Sequence, residues 1–324
     1  MSAFIFYTVK LTSQTFGDNI ITILNSTRRS ILKLNINPKY KGIIYIILSA
    51  FMFGLMGVFI KLAGDIPSVQ KSFFRNFVAL IFALIILLRD KSAFKVQKGD
   101  IKFLILRAAF GTAGILCNFY AVDHLVLSDA SILNKMSPFF AILCSFFILK
   151  EKFTPFQGLV VLLAFVGSLF VIKPSLANAD LLPSLIGLFS GFAAGVAYTM
   201  VRVLGNRGVK GPFIVFFFST FSCVVTLPYL IFEFTPMTLK QTIFLLLCGA
   251  AAAGGQFTIT AAYVHAPARE ISIYDYTQII FTTLFSFFIF NQVPDALSFL
   301  GYALIVAMAV VNFLYNNRRT VSEK

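Results

Sequence analysis

The sequence predicts an all-α integral membrane protein, with ten transmembrane helices arranged as two inverted five-helix repeats. Three observations predict it: apolar blocks of spanning length, cations gathered on one side, and a self-match at a fixed offset. Of the 324 residues, 58% are hydrophobic and 12% are charged, and the mean hydropathy is +0.87. Soluble domains carry about 25% charged residues, so half the usual charge is missing. The apolar residues come in blocks of about 20, the length that crosses a bilayer as a helix. Lipid offers no partner to open backbone groups, so each block must bond within itself. The alternating segments of a β-barrel are absent.

The blocks place helices over 42–63, 71–89, 101–122, 127–149, 154–173, 182–204, 210–231, 239–264, 269–291 and 296–316. Lys and Arg then gather on one side. It takes Lys10, Arg28, Arg29, Lys33, Lys39 and Lys41 before the first helix, and Arg89, Lys91, Lys95, Lys98 and Lys102 between the second and third. Lys150, Lys152, Arg207, Lys210, Arg269, Arg318, Arg319 and Lys324 fall there too, against Lys71, Lys173 and Lys240 opposite. The positive-inside rule puts both termini in the cytoplasm, with the chain in the cytoplasmic membrane. The net charge of +14 therefore reports topology, and no nucleic-acid partner is expected.

Four segments follow: an arm over 1–41, a first repeat over 42–174, a second over 182–317, and a tail over 318–324. The arm begins without a basic run before its apolar stretch, so no cleaved signal peptide is expected. Within it, Ile20, Ile23, Leu24, Ile31 and Leu34 share one helical face and Arg28, Arg29 and Lys33 the other. That pattern suits an amphipathic helix on the cytoplasmic leaflet, with a disordered arm as the alternative. The four cysteines (Cys117, Cys144, Cys223, Cys248) fall inside predicted helices and read as packing residues. No CxxC pair is present, and no metal or cofactor is expected.

Shifted so that Ser49 falls on Ser190, the chain matches itself without a gap. "SAFMFGLMGVFIKLAG" (49–64) lies over "SGFAAGVAYTMVRVLG" (190–205), which also pairs Gly54 with Gly195 and Lys61 with Arg202. Further along, Ser131 meets Ser272, "SFFI" at 145–148 meets "SFFI" at 286–289, and His124 meets His265, the two histidines of the chain. Five helices is an odd number, so the second copy enters the membrane from the opposite side. Inverted repeats of this kind characterise many secondary transporters.

An ionisable side chain inside hydrocarbon is costly and marks function or pairing. The deepest are Lys135 and Asp275. At the repeat offset Asn134 lies on Asp275 and Lys135 on Tyr276, so each copy has a polar pair at the same point. Ser128, Ser131 and Asn134/Lys135 form one stripe; Ser272, Asp275, Gln278 and Thr282 form another. Two related stripes suggest a central cavity, with a structural Lys135–Asp275 ion pair as the plain alternative. Asn118, Tyr198, Gln256 and Tyr263 on neighbouring helices complete a candidate substrate site with Asn134, Lys135, Asp275, Tyr276 and Gln278. Arg75 and Arg107 are accessory cations that read equally well as snorkelling anchors. Gly187, Gly191 and Gly195, spaced by four, let a neighbouring backbone approach closely; Pro138 frees a carbonyl near Asn134, with a plain helix kink as the alternative.

Three stretches then match a known pattern: "SFFRNFVALIFAL", "LILRAAFGTAGILCNFYAVDHLVLSDASIL" and "SPFFAILCSFFILKEKFTPFQGLVVLLAFVGSLFVIKP". They closely resemble the first EamA repeat of the drug/metabolite transporters. The marks are Arg75 after two phenylalanines, Ala130, Pro138, Glu151, Gly158 and Gly167. The resemblance covers about 41–317 and implies ten helices, inward termini and a cavity between the halves. In the second copy Gln292 stands where Glu151 does, and Ile279 replaces Pro138. "LRAAFG" also resembles the branch of S-adenosylmethionine uptake permeases.

The expected function is secondary transport of a small organic metabolite by alternating access. No GxxxxGK[ST] loop is present for ATP. Lys135, Arg75 and Arg107 against Asp275 favour an anionic or zwitterionic solute, such as an amino acid or an S-adenosylmethionine-like compound. Asp275 is the candidate for proton coupling; protons or a counter-substrate are the coupling partners, and the chain is a monomer or a homodimer in the lipid bilayer. A proton-exchanging exporter of drugs or metabolites is the alternative, followed by a lipid scramblase or a non-transporting receptor. An intramembrane enzyme is not expected, because "YD" at 274–275 lacks a GxGD partner and no HExxH occurs.

Overall fold

Every described segment is a helix or a connection between helices, and no strand occurs among the described residues. The computed structural model describes residues 38–89, 96–124, 133–150, 154–172, 181–290 and 296–322. Ten longer helices follow in order: α1 (Pro38–Ala63), α2 (Ser68–Arg89), α3 (Ile101–His124), α4 (Ser137–Leu149) and α5 (Pro155–Ile172). Then come α6 (Leu181–Asn206), α7 (Gly211–Phe232), α8 (Leu239–His265), α9 (Thr277–Phe290) and α10 (Ala296–Ser322). The proposed arm helix over 18–34, Ser128, Ser131, Glu151 and Gln292 lie outside the described residues.

Local chemistry sets several helix starts. Thr238 Oγ1 accepts from the Gln241 backbone N–H (3.3 Å), and Gln241 Oε1 accepts from the Thr238 N–H (2.9 Å). Thr154 and Gln157 repeat this reciprocal pair before α5, at 3.3 and 3.1 Å. Such boxes satisfy N–H groups that a helix start leaves open. At the start of α3, buried Asp100 accepts from the Gln97 N–H and pairs with Arg207 beyond α6, tying the two halves together.

The helices expected over 127–149 and 269–291 are not continuous. In the first, Leu133 and Asn134 are helical, Lys135 and Met136 form a turn, and regular helix resumes at Ser137. Pro138 stands in the first turn of α4 and not as an interior kink; lacking an N–H, it fits where none is needed. In the second, a helical turn (Ala268–Ile271) passes into a 3₁₀ segment (Ser272–Tyr276) before α9. No proline acts there. The Ser272 hydroxyl bonds the Ala268 carbonyl and the Thr277 hydroxyl the Tyr274 carbonyl, competing with the helical ladder. The breaks fall at Lys135 and Tyr276, two positions that the repeat offset pairs.

Packing recurs at the same offset. Gly195 of α6 sits on α4, where an added Cβ would lie 2.6 Å from Phe140 Cβ and 2.8 Å from the Ala141 nitrogen. Gly54 of α1 sits on α9, where an added Cβ would lie 3.5 Å from Phe281 Cβ and 3.3 Å from the Phe285 ring. Ser190 crosses α3 at Gly114, and Ser49 crosses α8 at Gly255, donating to its carbonyl at 3.0 Å. Each histidine donates a ring N–H to the carbonyl four residues back: His124 to Tyr120 at 2.9 Å, His265 to Ala261 at 2.7 Å. The glycine ladder on α6 continues through Gly191, where an added Cβ would lie 2.5 Å from the Leu133 carbonyl, and Gly187, where it would lie 2.9 Å from the Leu133 side chain. It presses α6 against the break before α4.

The outside of the bundle is apolar. Phe232 is 82% exposed, Phe288 74% and Phe147 73%, with α2, α9 and α10 presenting rows of further Leu, Ile and Phe. In water such a surface would be an aggregation liability; in lipid it is the right solvent contact. Among the described residues, six helices (α1, α2, α3, α6, α7 and α8) are long and apolar enough to cross a membrane. Within the helices, polar side chains such as Ser49, Asn76, Arg107, Gln256 and Asp275 turn inward, against the arrangement of a soluble protein.

Gly195→Ala should strain the α6–α4 contact by about 1–3 kcal/mol, the usual cost of overpacking. Gly57 has nothing within 4 Å of an added Cβ, so Gly57→Ala serves as the neutral control. Thermal unfolding in detergent should show a lowered midpoint for the first variant alone.

Candidate functional site

Where the two breaks meet, three direct contacts join them. Lys135 Nζ lies 3.3 Å from Asp275 Oδ2 and donates to Gln278 Oε1 at 2.8 Å. The Tyr276 hydroxyl donates to the Lys135 carbonyl at 3.1 Å, an acceptor at the turn where the helical ladder is interrupted. Asp275 lies in the last turn of the 3₁₀ segment and Gln278 three residues on, in the first turn of α9, a spacing that sets both on one side. Asn134 Nδ2 donates to Ser190 Oγ at 3.2 Å, and that hydroxyl donates to the Gly187 carbonyl at 2.6 Å. The ion pair weighed in the sequence is therefore present.

A cavity of about 170 Å³ opens beside this pair. Of the residues singled out in the sequence, Asn118, Asn134, Lys135, Tyr198, Gln256, Asp275 and Gln278 line it. Tyr263 and Tyr276 do not. Tyr263 lies fully buried behind Tyr198, stacked at 4.9 Å between ring centroids, and Tyr276 is spent on the Lys135 carbonyl. Spacing along a helix assigns a face but cannot say how deep a ring sits behind its neighbour. The Ser272–Thr282 stripe divides as well: Ser272 is fully buried against its own helix, and Thr282 lies against Gly54.

Arg75 and Arg107 are cavity residues and not snorkelling anchors, 7% and 2% exposed. Arg75 Nη1 donates to Asn76 Oδ1 at 3.2 Å, and Asn76 is held by the Ser72 carbonyl and Ser222 Oγ, both at 2.9 Å. The Arg107 guanidinium lies 4.2 Å from the Phe218 ring centroid, a cation–π distance. A Cβ on Gly111 would overlap that guanidinium, so glycine there makes its room. Gln256 Nε2 donates to Thr260 Oγ1 at 3.3 Å.

The lining residues that sequence reasoning missed are mainly apolar: Phe53, Met56, Ile115, Phe119 and Phe218, with Ser137 beside Lys135. An apolar residue within an apolar block carries no signal of its own. Phe119 also borders a second, largely apolar crevice, with Cys117, Tyr120, Ile186 and Tyr229. Among the described residues no group of three or more His, Cys, Asp or Glu is placed to hold a metal ion.

Known proteins give this arrangement its context. The pattern of the EamA-like transporter family matches twice, over residues 40–173 and 181–314. The pseudopaline exporter CntI of Pseudomonas aeruginosa is 31% identical over 271 residues, covering 83% of this chain and 94% of its own. The human solute carrier family 35 member G1 is 27% identical over 283 residues, covering 83% and 78%. A riboflavin transporter of Brucella anthropi is 27% identical over 250 residues, covering 76% and 87%. One crystal structure superposes with a TM-score of 0.75 at 14% identity, covering 86% of this chain and 98% of that one, which speaks to fold alone. With both halves matched and an apolar bundle around a polar centre, the chain is a multi-pass membrane protein of the EamA-like transporter family.

Proposed function

We propose that this chain is a secondary transporter that moves a small anionic or zwitterionic metabolite across the cytoplasmic membrane by alternating access. The observation that carries the proposal is the charged cavity at the meeting of two interrupted helices, lined from both halves of the chain. Interrupted helices at the centre of repeat-related halves are where many transporters bind substrate and coupling ion. The recurrence of packing at the repeat offset supports a reading of the halves as inverted repeats, 42–174 and 182–317. Near-equivalent halves can exchange conformations, so that the central site faces one side and then the other. The distribution of Lys and Arg supports cytoplasmic termini.

The substrate contacts we propose are Asn118, Asn134, Lys135, Tyr198, Gln256, Asp275 and Gln278, with Arg75 and Arg107 supplying further positive charge. Tyr263 and Tyr276 act behind them, setting Tyr198 and the Lys135 turn. A second reading, export by proton exchange, is favoured by the exporter among the relatives. Asp275, the one carboxylate among the described lining residues, would then carry the proton.

Proteoliposomes offered a metabolite mixture should accumulate particular solutes, read by mass spectrometry, and Lys135→Ala should abolish that accumulation. Uptake by this variant at the wild-type rate would remove Lys135 from the site. Under proton exchange, flux should follow an imposed pH gradient and lose that dependence in Asp275→Asn. Pairing makes a further prediction about stability. Lys135→Met alone strands a buried carboxylate and should cost on the order of 3 kcal/mol, whereas Lys135→Met with Asp275→Leu should recover much of it. Denaturation midpoints of the two single variants and the double variant read that coupling.

A further inference from the structure

Among the described lining residues the cavity holds three cations and one carboxylate: Arg75, Arg107, Lys135 and Asp275. Lys135 and Asp275 neutralise one another at 3.3 Å. That leaves two guanidiniums with no carboxylate partner among the described residues. Arg107 is 2% exposed, and its Nε has no hydrogen-bond partner. Arg75 places one N–H on Asn76, out of the five that a guanidinium carries. A buried cation without a counter-charge is costly, and more so within a membrane. A purely structural arginine would be matched by the protein; two unmatched ones in one cavity point to a charge that arrives from outside.

The surroundings suit carboxylates. The Arg107 guanidinium lies over the Phe218 ring, 4.2 Å from its centroid, and that of Arg75 lies 6.0 Å from the centroid of Phe53. An aromatic ring offers a cation no acceptor of carboxylate strength, so guanidinium N–H groups remain for bidentate bonds to a planar carboxylate. Gly111 keeps the space at Arg107 open, and Asn76 fixes Arg75 through Ser72 and Ser222. The cavity, about 170 Å³, is below the roughly 300–1,000 Å³ of pockets for drug-sized ligands. A cavity of that size suits a compact solute.

We infer that Arg75 and Arg107 form a doubly cationic centre that binds a compact solute carrying two carboxylates, one facing each guanidinium. The assignment rests on the transporter reading of the same cavity and narrows its substrate class. Lys135 is then not the main anion anchor; it and Asp275 form a separate neutral contact at the helix breaks. A monocarboxylate would leave one guanidinium unmatched, and a dicarboxylate neutralises both.

The test is a thermal-shift titration of the purified full chain with succinate and glutarate against butyrate. The dicarboxylates should half-saturate at a concentration lower by about tenfold or more, since a second charge-assisted contact is made. Arg107→Gln and Arg75→Gln should each bring the dicarboxylates down to the level of butyrate. Arg107→Lys, which keeps the charge, should retain part of the preference and so separate lost charge from lost fold. Dicarboxylates binding no better than butyrate, or a preference surviving in both glutamine variants, would overturn the centre. Dicarboxylate binding without flux of any solute in proteoliposomes would leave the centre standing and sink the transporter reading. Flux of solutes with no dicarboxylate preference would sink the centre alone.

Discussion

Lys135 and Asp275 meet at 3.3 Å at the interruptions of two helices, one from each half of the chain. Neither charge could lie in the membrane interior alone without a large penalty. Their pairing makes both breaks tolerable, and the breaks in turn supply free backbone groups, such as the Lys135 carbonyl that Tyr276 bonds. The rest of the bundle is arranged around this crossing. The glycine ladder on α6 seats that helix against the first break, and Asn134 reaches Ser190 across the same seam. An irregular backbone persists at membrane depth only where it is buried in protein or lines a cavity, and here it does both.

The two halves share a scaffold and differ in charge. Glycine, serine and histidine contacts recur from one half to the other: Gly54 with Gly195, Ser49 with Ser190, His124 with His265. The contacts are not equally tight, since α6 approaches α4 through backbone-to-backbone glycine seams while α1 meets α9 mainly through side chains. Charge is distributed without symmetry. Lys135 corresponds to a tyrosine, Asp275 to an asparagine, and Arg75 and Arg107 come from the first half. On the proposed transporter reading, the repeated frame supplies the two related conformations and the asymmetric lining selects the solute.

The helices were legible in the sequence because a spanning block of apolar residues has few other uses. Lys135, Asp275 and Gln278 were legible for the converse reason: polarity inside such a block stands out against it. The breaks were not. Pro138 marked the first but suggested a kink, and the second has no proline, only hydroxyls that bond back to their own helix. Arg75 and Arg107 could be counted but not aimed, since their distance from a helix end leaves open whether the side chain runs outward to the interface or inward. Phe53 and Phe218 carried no signal, being phenylalanines among 40 in the chain. Only the fold shows that they lie against the two arginines.

The central claim is that one cavity serves both sides of the membrane in turn. Asn118 lines it and, replaced by cysteine in a chain whose four native cysteines are serine, reports its exposure. A membrane-impermeant thiol reagent applied to sealed vesicles of each orientation should modify Asn118→Cys from both faces, and a bound substrate should slow both reactions. Labelling from one face alone, unchanged by any solute, would contradict alternating access and leave the cavity a one-sided pocket.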